Sequence, residues 1–291
     1  MAVDTATLLV SCPDQQGLVA KIANFIYANG GNIIHADHHT DLEAGLFLSR
    51  IEWQLQGFNL PRHLINEAFG ELAQRHFVTA SPLQAKWKLH FSDTVPKVAI
   101  WVSKQDHCLY DLLWRIKSKE LKAEVGLIIS NHPDLDPIAQ QFNIEYHHLP
   151  ITKENKKEQE LKQLELLKNA EIDLVILAKY MQVLSSDFIK EFPAVINIHH
   201  SFLPAFIGAK PYHQAYSRGV KIIGATAHYV TQDLDAGPII EQDVVRISHR
   251  DTVQDLIRKG KDLEKIVLAR GVRLHLQNRV LVYGNRTVVF G

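Results

Sequence analysis

Cysteine is scarce in this chain: Cys12 and Cys108 are the only two, and no second thiol stands at a paired spacing. Neither a disulfide framework nor a CxxC metal site is therefore written into the sequence, and a reduced cytoplasmic compartment fits. No HExxH pattern occurs, so the common zinc-hydrolase signature is missing too. No run of about 18 apolar residues exists, which excludes a membrane-spanning helix. The opening "MAVDTATLLVSCP" carries an acid and no basic region, so no secretory signal is expected. Excess charge of one sign is also lacking, since Lys+Arg and Asp+Glu number 32 each. No basic stripe forms a nucleic-acid footprint. The densest basic stretch, "KENKKEQELKQ" at 153–163, is interleaved with Glu and reads as a solvated helix face.

What is present is ordinary globular composition, 46% apolar and 22% charged over 291 residues. That length suggests two domains. Residues 5–11 read as a strand. Leu18, Ile22, Phe25 and Ile26 then repeat at helical spacing until Gly30-Gly31 stops the helix. "NIIHADHHT" and "GLFLSRIEWQL" read as strands, 60–75 as a helix and "FVTASPL" as a last strand. The order βαββαβ is the ferredoxin-like unit. Residues 86–95 show no clean period and are expected to be a linker. Beyond it, short apolar runs at 97–103, 124–130, 144–150, 173–179 and 194–200 alternate with helical segments. That alternation predicts a Rossmann-like, mostly parallel sheet with helices on both faces. "GATAHYVT" and "PIIEQDVVRI", a helix over about 251–275, and the pair "RVLVY" and "TVVF" complete the chain. The expected domains are 1–85 and 96–291.

Ligands in such sheets sit at the carboxyl ends of strands, and "VINIHHSFLP" (195–204) ends a strand with three polar groups. Burying an unpaired amide or imidazole costs a few kcal/mol, so these groups need partners. Strand alternation puts Asn197 and His199 on one face and His200 on the other. That divergence disfavours a paired-histidine metal site. An amide N–H beside an imidazole suits an oxyanion or a leaving nitrogen. "HYVTQDLDAGPII" (228–240) follows, with Asp235 just before a Gly-Pro turn. Taken alone, such an Asp more often caps its turn than catalyses.

Taken together, "NIHHSFLP" and "HYVTQDLDAGPI" resemble the folate-dependent formyltransferase-fold family. The resemblance spans about 96–280. It implies Asn197, His199 and Asp235 as the catalytic set. "AKYMQVLS" (178–185) resembles the family's folate-pocket segment, which implies that Gln182, Val183 and Leu184 border the pterin ring. His228, Val230 and Gln232 would form the facing wall. "CPDQQGLVAKIANFIYANGGNI" resembles the ACT regulatory domain. Asp14, Gly17, Leu18 and Asn32 would then meet an amino-acid effector, with glycine and methionine the candidates. ACT units commonly pair edge to edge, which implies a homo-oligomer.

Two departures bear on the acceptor. The nucleotide-using transferases carry a Gly-rich phosphate loop after the first strand. Here that place reads "VSKQDHCLYDLL", without the glycine that close backbone approach to a phosphate favours. Those transferases usually have Pro after the catalytic His, where this chain has His200. With the ACT-like unit in front, the chain resembles the deformylating branch, whose acceptor is water. The resemblance implies hydrolysis of 10-formyltetrahydrofolate to tetrahydrofolate and formate, supplying purine synthesis and balancing folate pools, with folate as substrate and no metal or other cofactor. Formyl transfer to an amine, and a sensor that only binds folate, are the competing readings.

Other residues keep two readings each. His35, Asp37 and His39 share a strand face, either a metal cluster or a solvated edge. Cys108 is an activated thiolate or a buried helix residue. Tyr212 and His213 line the acceptor side or belong to a surface helix. Lys210 is a candidate for the folate's glutamate tail. His200 belongs to the deformylase-type site or supports it from behind. Trp87, Trp101 and Trp114 are expected to pack.

Overall fold

The run "TATLLVSCP" is buried along nearly its whole length, where a half-exposed strand would alternate. In this computed structural model, which describes residues 3–77, 84–205 and 211–291, the reason is that both faces of β1 (Thr5–Pro13) are covered. Leu8, Val10 and Cys12 face a core that includes Leu18, Ile22 and Ile26 of α1 (Leu18–Ala28). Leu9 belongs to a second cluster on the other side. β2 (Asn32–Asp41) and β3 (Leu46–Gln54) follow, then α2 (Arg62–His76) and β4 (Lys86–Phe91). The sheet order is β2-β3-β1-β4, all antiparallel, which is the ferredoxin-like arrangement expected from sequence. Gly30 supplies the left-handed residue that ends α1, at φ 75°. The Gly31 amide then bonds back to Ile26 O at 2.9 Å.

The fourth strand is not where the sequence suggested. Residues 86–91, expected to be linker, pair with β1; most of the stretch expected to be that strand, 78–83, lies outside the described residues. Alternating basic and apolar residues in "KWKLHF" suit an edge strand with one wet face.

The second unit begins with β5 (Lys97–Val102) and α3 (His107–Lys117). β6 (Glu124–Ser130), α4 (Asp136–Gln141), β7 (Tyr146–His148), α5 (Lys156–Asn169), β8 (Leu174–Leu177), α6 (Ser186–Glu191) and β9 (Val195–His199) follow. α7 (Pro211–Arg218), β10 (Ile222–Tyr229), β11 (Ile239–Arg246) and α8 (Val253–Leu276) complete it. Its sheet runs β11-β10-β9-β8-β5-β6-β7. β5 to β9 are parallel, and β10 runs antiparallel to both its neighbours, β9 and β11. Strand order reverses at β5, between β6 and β8, so the switch-point crevice opens at the carboxyl ends of β5 and β8. The chain closes with a hairpin, β12 (Val280–Tyr283) and β13 (Arg286–Val289). Compact units comprise 1–94 with 278–291, and 95–277; the terminal hairpin belongs to the first, not to the second as its position in the chain suggested.

Candidate active site

β9 enters the sheet between β8 and β10, so its side chains emerge among buried neighbours. His199 is 5% exposed and His228 2%. Register sets Asn197 opposite His228, and Asn197 Nδ2 lies 3.2 Å from His228 Nε2. The other nitrogen of His228, Nδ1, lies 2.9 Å from Tyr229 O. A carbonyl only accepts, so Nδ1 carries the proton and Nε2 accepts from the Asn197 amide. Burial, the first cause, pushes the His228 pKa below its ordinary value, which keeps the ring neutral. One N–H of Asn197 is thereby committed, and the second is left for another acceptor.

Asp235 arrives from the loop after β10. Its Oδ2 lies 3.2 Å from His199 Nδ1, and its Oδ1 3.8 Å from His228 Nε2. The hydrogen bond from His199, opposed by partial burial, holds the Asp235 carboxyl below its usual range. Nδ1 of His199 is thus used, and its Nε2 is buried with no hydrogen-bond partner among the described residues. An unpaired buried ring nitrogen is costly and marks where a reacting group belongs. The Gly-Pro turn seen in the sequence closes the loop: Tyr229 N bonds Pro238 O at 2.9 Å.

His200 departs from the expected geometry. β9 ends at His199, so strand alternation no longer governs the next residue. The two rings stack, 5.0 Å between centroids and 24° apart, instead of diverging. Burial, with Lys179 adding to it, pushes His200 down to about 4. Thr226 pins the turn beyond it, bonding Ser201 O and Leu203 N.

The segment after β8 carries Gln182, Val183 and Leu184. Ser103, at the end of β5, holds its start through Met181 N at 2.9 Å, and Ser185 caps α6. Val183 and Met181 are over half exposed. Leu184 and Val230 pack on the same apolar cluster, and Gln232 is exposed. A separate groove of about 650 Å3 between α5 and α6, lined by Lys157, Leu161, Phe188 and Lys190 among others, includes none of these site residues.

In the first unit, Asp14, Gly17 and Leu18 line a cavity of about 490 Å3 with Thr40 and Phe47. Asn32 does not join them; its Nδ2 bonds Gln54 Oε1 across the β2–β3 pair. His35 and His39 are exposed on edge strand β2, and the Asp37 carboxylate accepts from Gly291 N. That is the solvated-edge reading. Cys108 is buried, and burial pushes its thiol well above the ordinary value, which removes the activated-thiolate reading. Tyr212 turns inward while His213 is exposed. Trp101 is buried and Trp87 packs on Phe69, but Trp114, expected to pack, is 65% exposed. Lys210 lies outside the described residues. No helix among the described residues is long and apolar enough to cross a membrane.

Sequence reasoning missed Lys179, His107 and Glu264, which meet in the interior. A signal existed. Glu264 falls on the stripe of α8 that also buries Gly260, Val267 and Gly271, so a charge stands where helical spacing demands an apolar group.

Residues 96–272 match the formyl transferase family model, and residues 6–52 match that of the ACT domain. A formyltetrahydrofolate deformylase of Synechocystis sp. is 67% identical over 286 residues, covering 98% of each chain. One from Bacillus subtilis is 46% identical, covering 99% of this chain and 94% of its own. The crystal structure of a formyltetrahydrofolate deformylase from Pseudomonas syringae superimposes with a TM-score of 0.95 at 44% identity, covering 100% of this chain and 96% of that one. A glycinamide ribonucleotide transformylase from Symbiobacterium toebii covers 70% of this chain and 98% of its own, with a TM-score of 0.64 and 29% identity.

Proposed function

The chain belongs to the formyltetrahydrofolate deformylase family, and on that premise we propose that it hydrolyses 10-formyltetrahydrofolate to tetrahydrofolate and formate, with Asn197, His199 and Asp235 as its catalytic residues. The observation that carries the assignment is the buried Nε2 of His199, without a partner among the described residues, whose Nδ1 is held by Asp235. Water adds through its oxygen to the formyl carbon, and its proton passes to the Asp235 carboxylate. The second N–H of Asn197 steadies the oxygen that gains charge. Protonated His199 delivers the Nε2 proton to N10 as the C–N10 bond breaks. Asp235 then releases its proton to water, His199 takes one back at Nε2, and formic acid leaves as formate with loss of its own proton. An oxyanion donor is worth roughly 100- to 1000-fold in rate, and a general acid or base about 100- to 10,000-fold.

Gln182, Val183 and Leu184 on one side, and His228, Val230 and Gln232 on the other, flank the pterin ring. His200 backs His199. Every charge the step needs is supplied by side chains, so the reaction requires no metal or other cofactor. Asp14, Gly17 and Leu18 bind an amino acid, glycine or methionine, in the cavity beside α1, and pairing of ACT units makes a homo-oligomer. The enzyme works in the cytoplasm, its formate feeds purine synthesis, and neither nucleic acid nor membrane is a partner.

The test is purified protein with 10-formyltetrahydrofolate in amine-free buffer, with formate followed by a coupled dehydrogenase. Formate should equal the tetrahydrofolate released, and Asp235→Asn should lower the rate at least about 100-fold. Near-normal turnover in that variant removes Asp235 from the mechanism.

A further inference from the structure

A buried carboxylate that the reaction does not use stands behind Tyr212, whose ring neighbours His200. Glu264, 1% exposed on α8, accepts from Tyr212 Oη at 2.6 Å and from His107 Nε2 at 2.7 Å, and pairs with Lys179 Nζ at 3.3 Å. Lys179 is itself only 4% exposed and holds a left-handed backbone, φ 67°. The Tyr212 ring lies 6.3 Å from His200, whose ring covers a face of His199. Gly260 makes the room, since a Cβ there would lie 2.1 Å from Tyr212 Oη.

Ligand-type atoms of His107, Cys108 and Glu264 lie within 4.8 Å of one another, but the geometry does not favour a metal. The Lys179 ammonium already stands against Glu264 Oε2, where an ion would bind, and the Cys108 thiol is held protonated. The cation that this carboxylate selects is the chain's own. Without it, this buried carboxylate behind Tyr212 and His200 would accept hydrogen bonds from an incoming amine. An amine is what distinguishes formyl transfer from hydrolysis.

We propose that Lys179, paired to Glu264 and braced by Tyr212 and His107, is the specificity-determining residue that fills the amine position and leaves water as the acceptor. The proposal rests on the hydrolysis reading above and adds the reason for the choice of acceptor. An incoming amine meets both a filled volume and a like charge, and the repulsive element does the discriminating.

The experiment partitions the formyl group between water and glycinamide, a small primary amine. Wild-type protein with 10-formyltetrahydrofolate and excess glycinamide should yield formate equal to the tetrahydrofolate released. In Lys179→Gly, formate should fall short, and the shortfall should appear as formylglycinamide that saturates with amine. The ratio of amide to formate should rise roughly tenfold or more, the discrimination one filled pocket position gives. A purely structural role for Lys179 would lower both products together and leave the ratio unchanged; that result, in a variant whose melting shows it folded, overturns the proposal. Should Lys179→Gly not fold, Lys179→Gly/Glu264→Gln opens the same volume without a lone charge, and an unchanged ratio there overturns it equally. The amine-free wild-type assay judges the hydrolysis reading separately. A wild type that formylates glycinamide in preference to water overturns both.

Discussion

Burial alone would raise the Glu264 carboxyl, yet the hydrogen bond from His107, the charge of Lys179 and the hydrogen bond from Tyr212 bring it down to about 2, from an ordinary 4.5. The linkage has one sign. A group whose folded pKa is depressed adds stability above its unfolded pKa and loses it as pH falls through the folded one. The contribution of Glu264 is therefore complete above about pH 4.5 and fades toward pH 2. Glu264→Gln leaves the Lys179 ammonium buried without its counter-charge, which typically costs about 3–5 kcal/mol. Urea-unfolding midpoints of wild type and Glu264→Gln should differ widely at pH 7, and the gap should narrow below about pH 4.5. A gap of constant size would show that the carboxylate is not what Lys179 rests on. The residues of this network were harder to read than the catalytic ones. Asn197 and His199 stand out because they interrupt an apolar strand, and Asp235 because it precedes a Gly-Pro turn. Lys179 follows a buried strand and Glu264 sits in a charged helix, where either residue is unremarkable until packing brings them together. His200 does not follow strand alternation because the strand ends one residue before it, and chain direction past a strand end is set by tertiary contacts, here those of Thr226.

At the scale of the element, the loop between β10 and β11 is what delivers Asp235, and Gly237 is what lets it close. A Cβ at Gly237 would lie 1.8 Å from Tyr229 O and 3.2 Å from Thr231 Cγ2. The first neighbour is backbone and cannot rotate away. Gly237→Ala should therefore push the loop off β10 and carry the Asp235 carboxylate away from His199 Nδ1. A displacement of about 1 Å can cost about 100-fold in rate. The expectation is a large loss of kcat with a modest drop in melting temperature, because the loop is exposed at 232–234 and adds little to the core. A variant with full activity would mean that the loop has another way to close. Elements with a clean period were legible: α1 through Leu18, Ile22 and Ile26, and the parallel strands through short apolar runs. β4 was not, because an edge strand needs only one apolar face, and Trp87, Leu89 and Phe91 make a run of only three, set among Lys and His. β3 looked imperfect in its alternation for the opposite reason. Phe47, Ile51 and Trp53 face one core while Leu48 faces another, so apolar residues fall on both faces.

That second core belongs to the whole molecule, since its two halves are the ends of the chain. Leu9 and Leu48, near the N-terminus, cluster with Leu281 and Phe290 of the terminal hairpin. Polar contacts lie around it: Arg50 Nε donates to Asn278 O at 3.0 Å, Tyr283 Oη to Asp41 Oδ2 at 3.1 Å, and Gly291 N to Asp37 Oδ2 at 3.0 Å. No local pattern announces such a closure, because "RVLVY" and "TVVF" show only that a hairpin exists and not which sheet it covers. The consequence is that a C-terminal residue should control the order of N-terminal strands. Phe290 is 1% exposed, and truncating a buried Phe typically costs about 3–5 kcal/mol. In Phe290→Ala, amide hydrogen exchange should speed up across β1 and β3, more than two hundred residues away in sequence, while β5 and β8 exchange as in wild type. Local openings of this kind are read directly by exchange because each cooperative unit opens with its own free energy. Faster exchange confined to 286–291 would mean that the hairpin decorates the sheet without holding it, and faster exchange in β5 and β8 as well would mean that the two units open as one.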